Sequence, residues 1–378
     1  MIKHIRIQNF RSLADVSVDL DPLTVLIGRS GTGKSNFVRA VRLLRDVLRS
    51  SPGELRRLIG PGIQGVRPIG YPGSTLNFDV RFDVPGAKTE FTYRLGLKLG
   101  DDFGNRTTAE EYFAAGDEVI FHQRDEVWVV VPPVLPAPIL GRVVLSSLSG
   151  VREATIAQVA LTSGIGCYDF PGDVLQQDTA SNGTGFADNG SNALVTAAQI
   201  LNNLERLGDW VSLTKSLSAL NRSVRGINLH VPERNRLDVA LGRNGTSFLL
   251  NAAEESEGFR RYLAHLLALY QTPPKQTMLF EHPESGIHPS ALEALVEEFQ
   301  SHVRKGRGQV VLTTHSPQFL NHFPAEAVRV VDIENHETRI GPLAPEQAEA
   351  VREHFLLPGE LLTVDPARLP GQLVEVPG

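Results

Sequence analysis

Residues 23–36 read Leu-Thr-Val-Leu-Ile-Gly-Arg-Ser-Gly-Thr-Gly-Lys-Ser-Asn. The short apolar run Leu23–Ile27 has the pattern of a strand buried on both faces of a parallel sheet. It leads directly into Gly28–Ser35, which fits G-x-x-x-x-G-K-[ST] in full, and an amphipathic helix follows to about Leu48. Such a loop binds phosphate for physical reasons. Glycines let the backbone wrap closely, so that successive N–H groups can point at phosphate oxygens. The N-terminus of the following helix adds partial positive charge. Lys34 is placed to reach β- and γ-phosphates, and the Ser35 hydroxyl to ligate Mg2+. The candidate nucleotide contacts are Gly28, Arg29, Ser30, Gly31, Thr32, Gly33, Lys34, Ser35 and Asn36.

Three further segments bear on the same site. Met278–Glu281 is an apolar strand ending in a carboxylate, followed by His282, Pro283 and Glu284. A carboxylate at that strand end is expected beside the phosphate loop, where Glu281 would hold Mg2+ directly or through water. Ser256-Glu257-Gly258 precedes a helical pattern; a Ser, an acid and a Gly at a helix start serve either as an N-cap or as a phosphate contact. Val311–Thr314 is another buried strand, and it aims His315 at the sheet edge where α/β proteins bind ligands.

The rest of the chain sets bounds. It has 378 residues, 41% hydrophobic and 21% charged, which is globular composition. The single cysteine, Cys167, excludes an internal disulfide framework. The N-terminus MIKHIRIQNF lacks the apolar core of a secretory signal, and no run of about 18 apolar residues occurs, so a cytoplasmic chain without a membrane span is expected. The net charge of −6 gives no global field for nucleic acid. Any DNA contact would need a local patch, and Arg39, Arg42, Arg45 and Arg49 recur at helical spacing. The plainer alternative is a solvated face opposite Phe37, Val41, Leu44 and Leu48.

Four regions are expected. Residues 1–50 form an N-terminal lobe carrying the phosphate loop. A connector rich in Gly and Pro at 51–74 opens a region of antiparallel strands reaching 147, with turns at PGAK and GDDFGN. A helical subdomain is expected over 148–272: helical patterns dominate from about 150 to 225, interrupted by a polar loop, TASNGTGFADNGSN, at 179–192, and are followed by short strands over Leu220–Leu250 and a helix over Glu254–Tyr270. Residues 273–378 return to α/β. The N- and C-terminal thirds are expected to build one sheet, with the middle inserted into it.

Taken in order, the four segments resemble the RecF/SMC/OLD branch of ABC-type ATPases, and most nearly a stand-alone AAA-like group found in bacterial defence and repair loci. IKHIRIQNFRSL with the phosphate loop, ESEGFRR, FEHPESGIHP, TTHSPQFL and the tail LLPGELL…LPGQ carry the resemblance. It implies an α/β P-loop head with a mixed sheet, an antiparallel β subdomain and a helical subdomain. It also implies an ATPase using ATP and Mg2+, and a homodimer that sandwiches two ATPs. Each ATP would lie between one subunit's phosphate loop and Ser256, Glu257 and Gly258 of the other; Glu281 would serve Mg2+, and His315 would sense the γ-phosphate. No Toprim nuclease domain is evident after His315, which implies a separate nuclease or toxin effector, in genome maintenance or anti-phage defence. The sequence departs from the group at Arg29-Ser30, where an Asn is common, and at His282, where a catalytic Glu is usual. His282, or Glu284 two residues on, would have to replace that Glu, so slow hydrolysis is expected. A nucleotide-binding scaffold without turnover is the alternative, and a small-molecule kinase a more distant one.

Overall fold

In the computed structural model the described residues are 1–51, 57–58, 75–98, 108–125, 127–133, 143–148, 150–176, 185–203, 207–230, 236–243 and 245–372. Most of the 51–74 connector, the GDDFGN turn and residues 179–184 of the polar stretch lie outside them.

Sixteen strands are described, numbered in chain order. β1 (Ile2–Phe10), β2 (Leu13–Asp19), β4 (Thr75–Phe82), β5 (Phe91–Lys98), β6 (Thr108–Ala115), β7 (Glu118–Arg124) and β8 (Val127–Val130) form an antiparallel sheet in the order β2-β1-β4-β5-β6-β7-β8. β3 (Leu23–Ile27), β9 (Ile165–Tyr168), β13 (Thr277–Glu281), β14 (Gln309–Thr313), β15 (Val328–Glu334) and β16 (Glu337–Pro342) form the second sheet, ordered β16-β15-β3-β14-β13-β9. All its neighbours run parallel except the β15–β16 hairpin. β10 (Val224–His230), β11 (Arg236–Arg243) and β12 (Thr246–Asn251) make a small antiparallel sheet.

The six-stranded sheet is buried on both faces, and its side chains alternate between two cores. Val25, Ile27, Met278, Phe280, Val310 and Leu312 enter one core, with the helices Glu257–Tyr270 and Leu292–Arg304. Leu26, Leu279 and Val311 enter the other. There they meet Phe37, Val41 and Leu44 of the helix Lys34–Arg49 and, beyond it, Ile5, Ile7, Phe78 and Tyr93 of the antiparallel sheet. The helix that follows the phosphate loop is thus held between the two sheets.

This arrangement differs from the single shared sheet expected of the two chain ends. Only β3 of the N-terminal strands joins the C-terminal ones; β1 pairs with β2 on one side and with β4 on the other. Their burial explains the division. β1 buries Ile5 and Ile7 and exposes Arg6 between them, the pattern of a sheet with one wet face, whereas β3 is buried over its last four residues. Two strands were not evident from the sequence. β6 (TAEEYFAA) is mostly polar and small, and β9 (IGCY) is four buried residues inside a helical stretch.

Candidate nucleotide-binding site

Parallel register brings the C-terminal ends of β3, β14 and β13 to one edge. Leu26 lies opposite Thr313, and Thr313 opposite Glu281. Ligands of α/β sheets bind at this edge. At the end of β3 the chain turns through Gly28, with φ +152°, and reaches the helix through Gly33, with φ +111°. Both positions are also sterically closed to a side chain. A Cβ on Gly28 would lie 2.0 Å from the Val331 carbonyl oxygen, and one on Gly33 would lie 2.2 Å from Thr338 Oγ1. The β15–β16 hairpin therefore walls the loop from outside.

Lys34 is 4% exposed. Its Nζ donates to the carbonyl oxygens of Gly28 and Arg29, both at 2.8 Å. No carboxylate partners it among the described residues, and burial lowers the amine to about 8. With the Thr32 hydroxyl also at 3.5 Å, this is a buried cation held only by neutral oxygens, which favours an incoming anion.

β14 stands between β3 and β13, so His315, not Glu281, belongs to the strand beside the loop. The Gly28 backbone favours the protonated His315 ring. Burial and the nearby charges of Lys34 and His282 lower its pKa, with Glu284 acting in the opposite sense. His282 stacks on His315, ring centroids 4.9 Å apart and planes within 13°. His282 has φ +47°, which turns the chain out of β13 immediately after Glu281. Its N–H donates to the Thr313 carbonyl at 3.1 Å. Glu284 is almost buried. Its Oε1 accepts from the Thr314 hydroxyl at 2.7 Å and from the His315 N–H at 3.3 Å, and lies 3.9 Å from His282 Nδ1. Burial raises this carboxyl, but the nearby His282 ring and the hydrogen bonds from Thr314 and the backbone outweigh it and hold the pKa below the ordinary value. Glu284 Oε2 is buried without a partner. One chain thus brings together Lys34, His282, Glu284 and His315, with Glu281 one strand further along the edge.

Ser256 to Gly258 sit elsewhere. Ser256 caps the helix Glu257–Tyr270 by accepting the Phe259 N–H at 3.3 Å, and Glu257 pairs with Arg261 at 3.0 Å. Gly258 packs against the loop after β13, where a Cβ would lie 2.7 Å from the Gly286 oxygen. Among the described residues no hydrogen bond or ion pair joins this segment to the phosphate loop of its own chain. Ser256 and Glu257 are exposed.

The basic helix face requires a correction. Arg45 is 5% exposed and grips Asp188 with two bonds, at 2.8 and 2.7 Å. Arg42 donates to the Cys167 oxygen at 3.0 Å, and Arg49 to the Thr162 oxygen at 2.7 Å. Three of the four arginines fasten the helix to β9 and its flanks; Arg39 and Arg49 are exposed, and Arg49 still reaches the Thr162 oxygen. Helical spacing alone did not reveal this, because Asp188 and the accepting carbonyls are more than 100 residues away in sequence. Sequence reading also passed over Ser12 and Thr338, which touch the phosphate loop from outside; isolated hydroxyls carry no motif.

The donor set fits a nucleoside triphosphate with Mg2+. The glycine loop leaves no room for side chains on its outer wall, the cation inside it lacks an anionic partner, and a carboxylate oxygen of Glu284 is unpaired nearby. Ser35 and Glu281 are the residues that would hold Mg2+. No cluster of three metal-ligating side chains occurs among the described residues.

The fold is that of a P-loop ATPase head. A family model described as an AAA ATPase domain matches residues 1–79, and one described as AAA domain, putative AbiEii toxin, Type IV TA system matches residues 193–321. The chain is 30% identical over 113 residues to an OLD nuclease of Thermus scotoductus, 27% of this chain and 19% of that protein. It is 29% identical over 110 residues to the DNA replication and repair protein RecF of Streptococcus agalactiae, 28% of this chain and 30% of that one. To the Old nuclease of Escherichia phage P2 it is 23% identical over 368 residues, 86% of this chain and 58% of the relative. Each match spans less than two thirds of the curated relative. Among solved structures, the Smc head bound to the C-winged helix domain of ScpA superposes with a TM-score of 0.58 at 12% identity, covering 92% of this chain and 99% of that one. An Smc head with an extended coiled coil, bound to the C-terminal domain of ScpA from Pyrococcus furiosus, gives 0.55 at 12% identity, covering 94% and 99%. Together these show a chain similar in parts of its sequence to RecF and OLD-type proteins, with the fold of an Smc head. No helix among the described residues is long and apolar enough to cross a membrane.

Proposed function

We propose that the chain binds ATP with Mg2+, pairs with a second copy around the bound nucleotide, and hydrolyses it slowly to gate a partner. The observation that carries this reading is the caged Lys34 amine at the mouth of the glycine loop, with His315 just past the end of the neighbouring strand β14. In the pair, the exposed Ser256 and Glu257, with the half-buried Gly258, of one subunit complete the phosphate shell of the other. Their separation from the loop of their own chain and their position at a helix N-terminus support this. Bound Mg2+ supplies charge neutralisation between the phosphates. Ser35 and Glu281 orient it, and Lys34 neutralises the β/γ oxygens.

Slow turnover follows from the residue after Glu281. His282 offers a neutral ring nitrogen as proton acceptor near pH 7 but lacks a carboxylate's charge. Glu284 spends Oε1 on Thr314 and His315, so it positions the histidine instead of replacing the base. By its likeness to RecF and the OLD nucleases the gated partner is DNA or a separate nuclease or toxin subunit, in genome maintenance or anti-phage defence.

Sedimentation with Mg-ATP should convert wild-type monomers to dimers, and leave Lys34→Ala and Ser256→Arg monomeric. Wild type that stays monomeric refutes the sandwich. In single-turnover assays His282→Glu should raise the hydrolysis rate on the order of tenfold or more; an unchanged or lower rate refutes slow catalysis by His282 and favours a scaffold that holds ATP.

A further inference from the structure

A line of hydrogen bonds drawn from three separate parts of the chain ends on the backbone of the phosphate loop. At the turn between β1 and β2, Ser12 Oγ accepts from Asn36 Nδ2 at 2.9 Å, and Asn36 Oδ1 accepts from Arg11 Nη1 at 3.3 Å. Ser12 Oγ lies 2.7 Å from Thr338 Oγ1 on β16. Thr338 Oγ1 lies 2.8 Å from the Thr32 carbonyl oxygen. The Thr338 N–H donates to the Ser12 carbonyl at 2.8 Å, which fixes the two residues against each other. Thr338 is fully buried.

The direction of the chain follows from counting hydrogens. A carbonyl only accepts, so the single Thr338 hydroxyl hydrogen goes to Thr32, and the Ser12 hydroxyl then donates to Thr338. The order is Arg11 to Asn36 to Ser12 to Thr338 to the Thr32 carbonyl. In a trans peptide the C=O and the following N–H point in opposite directions. Drawing the Thr32 carbonyl outward onto the hairpin therefore turns the Gly33 N–H toward the open side of the loop. No protein group among the described residues accepts from that N–H. Gly33 is also the residue whose missing Cβ makes room for Thr338.

We propose that Thr338, relayed by Ser12, is a positioning residue: a hydroxyl clasp that presets the Thr32–Gly33 peptide so that its N–H meets phosphate without reorganisation. Preorganised donors bind more tightly because the ordering cost is already met in the free protein. The inference deepens the nucleotide-binding reading and rests on it.

The test is calorimetric titration of Mg-ATP into wild type, Thr338→Ala, Thr338→Ser, Ser12→Ala and the Ser12→Ala/Thr338→Ala double variant, with melting temperatures for each. Thr338→Ala should weaken binding by about tenfold, the scale of one well-placed hydrogen bond. Thr338→Ser, which restores the hydroxyl, should bind within about twofold of wild type on the same scale, and the double variant should be no weaker than Thr338→Ala. Wild-type affinity in Thr338→Ala, or equal losses in the serine and alanine variants, overturns the clasp while leaving nucleotide binding intact. If Thr338→Ala fails to fold, Ser12→Ala breaks the same chain one link out. Wild-type affinity in Ser12→Ala then overturns the clasp, and a loss of a few-fold upholds it. Wild type that does not bind Mg-ATP instead removes the nucleotide reading itself.

Discussion

Two buried ionisable groups, one in each large sheet, are handled in opposite ways. Glu111 lies on β6 in the antiparallel sheet, fully buried. Its carboxylate accepts the backbone N–H groups of Val144 and Leu145 at 2.6 and 2.8 Å and the Tyr93 hydroxyl at 2.9 Å. Lys34 lies at the edge of the parallel sheet and is given only neutral oxygens, two carbonyls and the Thr32 hydroxyl. Burial pushes Glu111 up to about 7 against the pull of its hydrogen bonds, and pushes Lys34 down to about 8. The acid is finished structure, pinning residues 143–148 onto the sheet. The amine is unfinished, and what would complete it is an anion from outside. Burial alone does not mark a functional group; the kind of partner the fold supplies does.

The comparison breaks most easily at Glu111. Glu111→Ala leaves two backbone donors and a tyrosine hydroxyl unpaired in the core, and should cost about 2–5 kcal/mol of stability. Chemical denaturation will measure it, and the affinity of the folded fraction for Mg-ATP should be unchanged. The wild-type pH dependence sharpens the point. The folded carboxyl titrates near 7 and the unfolded one near 4.5, so between these values the folded chain holds more protons. The contribution of Glu111 is fully present below 4.5 and is lost as pH rises through 7. Glu111→Gln should flatten the stability–pH curve in that window, and an unchanged slope would show that the carboxyl is not perturbed.

How much of this was legible in the sequence follows the same division. β3, β14 and the phosphate loop were readable because each strand is a short, unbroken apolar run and the loop is a fixed motif. His315 and Glu281 were readable because they end such runs. What was hidden depended on distant partners. Arg45 looked like a member of a basic face until Asp188 was found against it. Ser12 and Thr338 meet only because the β1–β2 turn and the last hairpin close on the same loop. The stacking of His282 on His315 is of the same kind: register places the ends of β13 and β14 side by side, and the left-handed backbone at residue 282 turns the ring over.

A smaller effect is expected at Lys34. Between about 8 and its unfolded value of 10.5 the folded chain holds fewer protons than the unfolded one, so the nucleotide-free protein gains stability with pH in that window. Phosphate beside the amine restores its charge. Mg-ATP binding at pH 9 should therefore take up a proton, and affinity should fall by up to about tenfold per pH unit above 8. Calorimetry in two buffers of different ionisation enthalpy reads the uptake directly. Binding with no proton uptake at pH 9 would mean that the phosphates do not reach Lys34.

The smallest effect belongs on the outer face of the antiparallel sheet. There Arg94 pairs with Asp79 at 3.0 Å and lies over the Tyr112 ring at 4.9 Å, and Arg6 pairs with Asp15. These arginines are about half exposed, each already has a carboxylate from a neighbouring strand, and water competes for both partners. Arg94→Ala should cost less than about 1 kcal/mol. It should leave Mg-ATP affinity unchanged, because no bond in the Ser12–Thr338 line passes through β5. Melting curves and the same titration measure both. A loss of affinity in Arg94→Ala would show that the scaffold sheet is coupled to the phosphate loop through its strands, and the division between a finished sheet and an unfinished one would no longer hold.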